Sequence, residues 1–173
     1  MKLAVLSSGI QGEIDRLLFE TADRLQAEGV RLAGVVKVLE ENSADTHACA
    51  THLRVLPDGP PICITQSLGS GADGCRLNPS AITEAVAAVE QKSVDAFDLF
   101  ILNKFGPQEA EGRGFCAAIG SALEQDIPVL VGVGRACRDA FDAFADGMAE
   151  ALPPDCEAIH KWCVEALAES ETT

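Results

Sequence analysis

Uninterrupted apolar runs and helical-period runs take turns along most of this chain, and their order predicts an α/β fold. Residues 2–7 read as a buried strand, after which Ile14, Leu17, Leu18 and Leu25 recur at helical spacing as far as residue 28, where Gly29 closes the helix. Val30 to Val38 is a second, nearly continuous apolar run, as a strand covered on both faces requires. A right-handed β-α-β start is therefore predicted. Periodicity is lost over 40–52, which reads as a long loop. Two short apolar runs, 53–56 and 62–65, then flank Pro57-Asp58-Gly59-Pro60-Pro61 and predict an antiparallel hairpin.

Further on, the glycine-rich stretch 67–75 precedes Asn78-Pro79, an N-cap with proline at the first helical position, and a helix to about Lys92. The strand Leu99 to Leu102 breaks at Asn103-Lys104-Phe105-Gly106-Pro107, and a helix opened by Gly112 or Gly114 runs through Glu124. A strand over 127–133, a helix over 136–145 and a last helix after Pro153-Pro154 complete the pattern, with Ile159, Trp162, Cys163, Ala166 and Leu167 forming one face of that helix. The expected architecture is a three-layer α/β sandwich with a mainly parallel sheet and a small β-hairpin insertion at about 40–76, in a single domain over 1–173.

Composition narrows the function more than the fold. With 47% hydrophobic residues among 173, the chain can bury a real core. Its 13 basic and 27 acidic residues give a net charge of −14, a field that repels nucleic acid and anionic lipid. Any anionic ligand must then be held by a local concentration of N–H groups and cations. No basic leader and no apolar run long enough for a membrane span are present, so a cytoplasmic protein without membrane insertion is expected. Seven cysteines without a C-x-x-C pair read as reduced thiols, with Cys116, Cys137, Cys156 and Cys163 expected as small core residues in helices.

In a parallel sheet the loops at the carboxyl ends of strands present backbone N–H groups to ligands, and two loops here are candidates. The first, Ser7 to Asp15, stands where a phosphate-binding G-x-x-x-x-G-K-[ST] loop would be, with Ser8, Gly9, Gln11 and Gly12 as its ligand-facing positions. Aligned on Gly12, however, the first glycine is Ser7, the lysine is Glu13 and the hydroxyl is Ile14. It reads either as a retained phosphate cradle or as a plain strand-to-helix turn. The second loop, 103–114, combines Asn103, Lys104, Gln108, Glu109, Glu111 and Arg113. Glu109 or Glu111 could bind a metal or activate water there, and Arg113 could clamp an oxyanion. The alternative is a loop stiffened by its own salt bridges.

At this second loop the sequence becomes recognisable. The run NKFGPQEAEGRGF, followed by IPVLVGV and preceded by ITQSLGSGADGCRLNPSAI, resembles an uncharacterised bacterial family of unknown function over Leu3 to Trp162. The resemblance implies a nucleoside-triphosphatase-like fold and a setting in molybdate uptake. Gly106, Pro107 and Glu109 also resemble, more distantly, the G-P-x-E segment of small thermophile-type nucleoside-triphosphatases. Asn103, Lys104 and the altered first loop depart from that pattern and argue against ATP hydrolysis.

Two further groups complete the candidates. Ser70 and Gly71, with Cys75 and Arg76, could converge N–H groups and a cation on an oxyanion, and Cys75 is placed to favour thiolate. His47, Cys49 and His52 could hold a transition metal, although H-x-C-x-x-H matches no standard zinc framework. The leading expectation is a small-anion binding protein on a degenerate P-loop-like scaffold, with molybdate or tungstate implied by the family setting. Its rivals are a Mg²⁺-dependent nucleoside-triphosphatase and a regulatory partner of a molybdate transporter or cofactor-assembly protein; the expected partners are a small anion and either a second copy of the chain or a transporter.

Overall fold

A computed structural model describes residues 2–39, 50–67, 75–92 and 96–170. Among these the strands are β1 (Leu3–Leu6), β2 (Leu32–Lys37), β3 (His52–Val55), β4 (Pro61–Cys63), β5 (Thr65–Ser67), β6 (Cys75–Leu77), β7 (Leu99–Phe105), β8 (Val129–Val133) and β9 (Ala149–Leu152). The helices are α1 (Glu13–Ala27), α2 (Pro79–Glu90), α3 (Pro107–Ala110), α4 (Cys116–Glu124), α5 (Arg138–Ala145) and α6 (Cys156–Ser170). Seven strands form one sheet in the order β4-β3-β2-β7-β8-β1-β9. Its five strands from β2 to β9 run parallel, and β3 and β4 extend it antiparallel.

The apolar runs explain the layers. Successive side chains of a strand point to opposite faces, so a strand apolar throughout must be covered twice. Leu6, Ile101 and Leu130 pack under α1 and α6, where Ile14, Leu17, Leu18 and Trp162 meet them. Val5, Val35, Leu102 and Val131 face the opposite way, toward α2, α4 and α5. The three-layer α/β sandwich with a mainly parallel sheet is therefore observed. At the end of β7, the Phe105 ring stands edge-on to Phe141 of α5 at 5.3 Å between centroids. Such a buried pair adds about 1 kcal/mol to the burial itself, and it anchors the loop that leaves β7.

Several elements differ from the pattern read along the chain. The apolar run 62–65 is two strands, β4 and β5, separated at Ile64, whose N–H bonds Thr51 O at 2.9 Å. The β3–β4 hairpin is a continuation of the main sheet, because β3 pairs with β2. The ends of the glycine-rich stretch pair as the separate β5–β6 hairpin, while Ser70 and Gly71 lie outside the described residues. The unexpected β9 forms the sheet edge beside β1. Strand β7 runs on to Phe105, the short α3 follows at once, and a 3-10 turn, Arg135–Cys137, precedes α5. The Asn78 cap is as expected, with its Oδ1 accepting from Ser80 N at 3.1 Å. Of the four helical cysteines only Cys163 is fully buried, which pushes its thiol up to about 12. Cys116, Cys137 and Cys156 are half-buried.

One charged pair ties the start of β2 to the start of β7. Asp98 accepts from the Arg31 backbone N–H at 2.9 Å and from its guanidinium, and these hydrogen bonds hold the Asp98 carboxyl below its ordinary value. A carboxylate with a depressed folded pKa stabilises above its unfolded pKa, and that stability disappears as pH falls through the folded value. Asp98→Asn is therefore expected to lower the melting temperature by about 2 °C at pH 7, with the gap closing as pH falls through the lowered Asp98 value, below the ordinary carboxylate range. Thermal melts of the two proteins across pH check this.

Candidate functional site

The loop from β1 to α1 closes on itself. Ser8 Oγ accepts from Ile10 N at 3.0 Å and donates to the Glu13 carboxylate, while Gly12 takes the left-handed φ of 78° that starts α1. The carboxylate that stands at the P-loop lysine position is thus engaged by the loop's own serine. Ile14, at the position of the phosphate-loop hydroxyl, is core: a Cβ added to Gly132 of β8 would come within 2.7 Å of its Cγ2. Arg138 of α5 donates to Ser7 Oγ at 3.1 Å and fixes the loop's base.

Cations reach this loop from the neighbouring strands. A crevice of 440 Å³ is lined by Ser8, Gly9, Gln11 and Gly12 together with Lys37 from the end of β2, Lys104 from β7 and Arg135 just after β8. A Cβ on Gly9 would stand 3.7 Å from Arg135 Nη2, and one on Gly134 would stand 4.0 Å from Lys104 Nζ. The sheet order places β8 between β1 and β7, so residues about 10 Å apart along the sheet converge on one opening. The pairing of β7 with β8 shifts register between Asn103 and Phe105, and Lys104 is the exposed residue of an otherwise buried strand. Lys37 is paired with Asp15 at 3.1 Å, whereas Lys104 and Arg135 have no ion-pair partner among the described residues. One carboxylate thus meets three cations in a chain of net charge −14.

Asp15, Lys37 and Lys104 also border a second, inner chamber of 270 Å³, lined by Asn103, Gln108 and Glu109 and by apolar walls that include Leu53, Ile64, Leu77, Ile82 and Phe115. Asn103 is only 4% exposed, and its Nδ2 is buried without a hydrogen-bond partner. Glu109 is buried differently. Its two carboxylate oxygens accept from Gly106 N and Phe115 N, each at 3.0 Å, and a Cβ on Gly114 would stand 2.0 Å from Oε1. This carboxylate shapes the loop, with both oxygens engaged by backbone N–H groups. Glu109→Gln turns an NH₂ toward one of those N–H donors and is expected to cost about 2 kcal/mol in urea unfolding; Glu109→Ala should cost more.

The structure brings Ser8, Gly9, Gln11, Gly12, Asn103, Lys104, Gln108 and Glu109 together around the two chambers. It does not bring in Glu111 or Arg113, which pair with each other at the surface, each more than 60% exposed, and line neither chamber. Arg113, which the sequence offered as an oxyanion clamp, is paired with Glu111 within the loop. Arg76 is exposed on β6, and its neighbour Leu77 is the residue that lines the inner chamber. Cys75 begins β6. His52 lies on β3 opposite Cys63 of β4; His47 and Cys49 lie outside the described residues. Among the described residues no group of three His, Cys, Asp or Glu is placed to hold a metal ion. Sequence reasoning did not single out Lys37, Asp15 or Arg135. The available signal was a basic residue immediately at or after the carboxyl end of each of two apolar strands.

The family model for a protein of unknown function, DUF2478, matches residues 3–162. The chain belongs to this family. Molybdenum import ATP-binding protein ModC 2 of Bradyrhizobium diazoefficiens is 34% identical over 154 residues, which are 88% of this chain. The match spans 17% of the length of that curated relative. Among solved structures, a human cancer-related nucleoside triphosphatase matches with a TM-score of 0.61 over 100% of this chain and 99% of that one, at 12% identity. The α/β sandwich of this DUF2478 chain is thus the fold of that nucleoside triphosphatase structure. Its residues do not suit a Mg²⁺-nucleotide for hydrolysis: Glu13 is tied to Ser8, Ile14 is buried, and the neutral Asn103, two residues before the end of β7, stands where an acidic metal ligand would be needed. No helix among the described residues is long and apolar enough to cross a membrane.

Proposed function

We propose that this DUF2478 chain is a cytoplasmic binding protein for a small tetrahedral oxyanion, held in the crevice between the β1–α1 loop and the ends of β2, β7 and β8. The observation that carries this reading is the convergence of Lys37, Lys104 and Arg135 on the first loop in a strongly acidic protein. Cations placed against the general field mark a site where negative charge is stabilised. In this reading Lys104 and Arg135 supply charge-assisted hydrogen bonds to the anion, and backbone N–H groups of 8–12 supply neutral ones. Molybdate or tungstate is the favoured anion, supported by the name of the ModC 2 relative. Association with a transporter, and a single domain carrying its insertion between β2 and α2, belong to the same proposal.

Isothermal titration with sodium molybdate, tungstate and sulfate is the test. A saturable 1:1 heat with molybdate or tungstate is expected, together with ATP turnover far below the ~1 s⁻¹ ordinary for enzymes. No saturable heat with any of the three anions, or turnover at that rate, would overturn the proposal.

A further inference from the structure

Beside the oxyanion crevice lies a second pocket whose largely apolar wall a free inorganic anion has no means to use. That chamber is walled by Leu53, Ile64, Leu77, Ile82 and Phe115, and apolar walls gain nothing from a fully hydrated tetrahedral ion. Its volume of 270 Å³ exceeds the cavity of about 150 Å³ that accepts benzene in an engineered protein. Asn103 is one of its lining residues, and the amide NH₂ of that side chain is buried and unpartnered. Such a donor is costly to leave unmade, and a ligand acceptor would complete it. Asp15, Lys37 and Lys104 line both spaces, so the two adjoin.

We infer that the site also takes organic oxyanions, with the phosphate head in the crevice and a flat unsaturated ring in the inner chamber, the ring bearing a hydrogen-bond acceptor for Asn103 Nδ2. The inference rests on the oxyanion reading and adds to it a body with defined chemistry. Lys104, at the junction, faces the linking oxygen or the head itself. Gln108, at the same wall, offers a second polar contact.

Calorimetric titrations with sodium molybdate, inorganic phosphate, methyl phosphate, phenyl phosphate and 4-acetylphenyl phosphate test it. Phenyl phosphate is expected to bind at least about tenfold more tightly than methyl phosphate, from burial of the ring. The acetyl oxygen should add roughly fivefold more in the wild type and nothing in Asn103→Leu, a variant that removes an unpaired buried donor and so should fold as well as the parent. If methyl and phenyl phosphate bind alike while inorganic phosphate or molybdate binds, the inference fails and the oxyanion reading stands. If the acetyl gain survives in Asn103→Leu, the assignment of Asn103 is wrong. If no anion binds, both fall.

Discussion

A Lys104→Glu, Arg135→Glu double variant is expected to lose at least about 100-fold in molybdate affinity while unfolding within about 1 kcal/mol of the parent. At roughly 5 Å and an effective dielectric near 20, each unit charge is worth on the order of 3 kcal/mol to a bound anion, and reversal turns attraction into repulsion. Both side chains are exposed and without an ion-pair partner among the described residues, so the fold loses little. Arg113→Glu provides the control, because Arg113 is paired with Glu111 away from the crevice. Its affinity should stay within about twofold of the parent. Calorimetry for binding and urea unfolding for stability separate the two effects.

Gly34→Ala is expected to leave no stably folded protein. Gly34 sits within β2 at a φ of +102°, in register with Ile101 of β7, and a Cβ there would stand 1.9 Å from Ile101 O and 2.8 Å from Ile101 C. Those atoms are backbone in the centre of the sheet and cannot turn aside. The contact and the disfavoured φ together should exceed about 5 kcal/mol, comparable to the whole stability of many domains. Gly132→Ala makes the useful contrast: its Cβ would meet side-chain atoms, Ile14 Cγ2 and Leu18 Cδ1 at 2.7 Å, which can give more than sheet backbone can, so about 1–3 kcal/mol is expected. Circular dichroism and urea unfolding of both variants check the pair. The consequence reaches function, because the close approach of Gly34 to Ile101 sets the spacing between Lys37 and Lys104 a few residues farther along the same two strands.

The elements with strong local signals were legible in the sequence. The β1–α1 start, the Asn78-Pro79 cap and the apolar β7 and β8 each declare themselves within a dozen residues. Strand β9 did not, because Ala149-Glu150-Ala151-Leu152 at a sheet edge is only partly covered and its pattern is weak. The hairpins were misdivided because pairing partners such as His52 and Cys63 are chosen by the sheet and not by the run. The site divides along the same line. The first loop and the 103–108 segment could be found because each is contiguous. Lys37 and Arg135 could not, since nothing local distinguishes a basic residue at the end of an apolar strand from a solvated one; only the strand order brings them to the first loop. What the polar density of 103–114 did not reveal is its internal pairing: the chain folds Glu109 back onto its own N–H groups and pairs Glu111 with Arg113.

The central claim is that an oxyanion sits among the first loop, Lys104 and Arg135. A titration of ¹⁵N-labelled protein with sodium molybdate, followed residue by residue in amide correlation spectra, tests that location directly. The account predicts saturable shifts concentrated at Ser8 to Gly12, Lys104, Gly134 and Arg135, with the amides of Glu111 and Arg113 little changed. Shifts confined to other regions, or none at saturating anion, would contradict it.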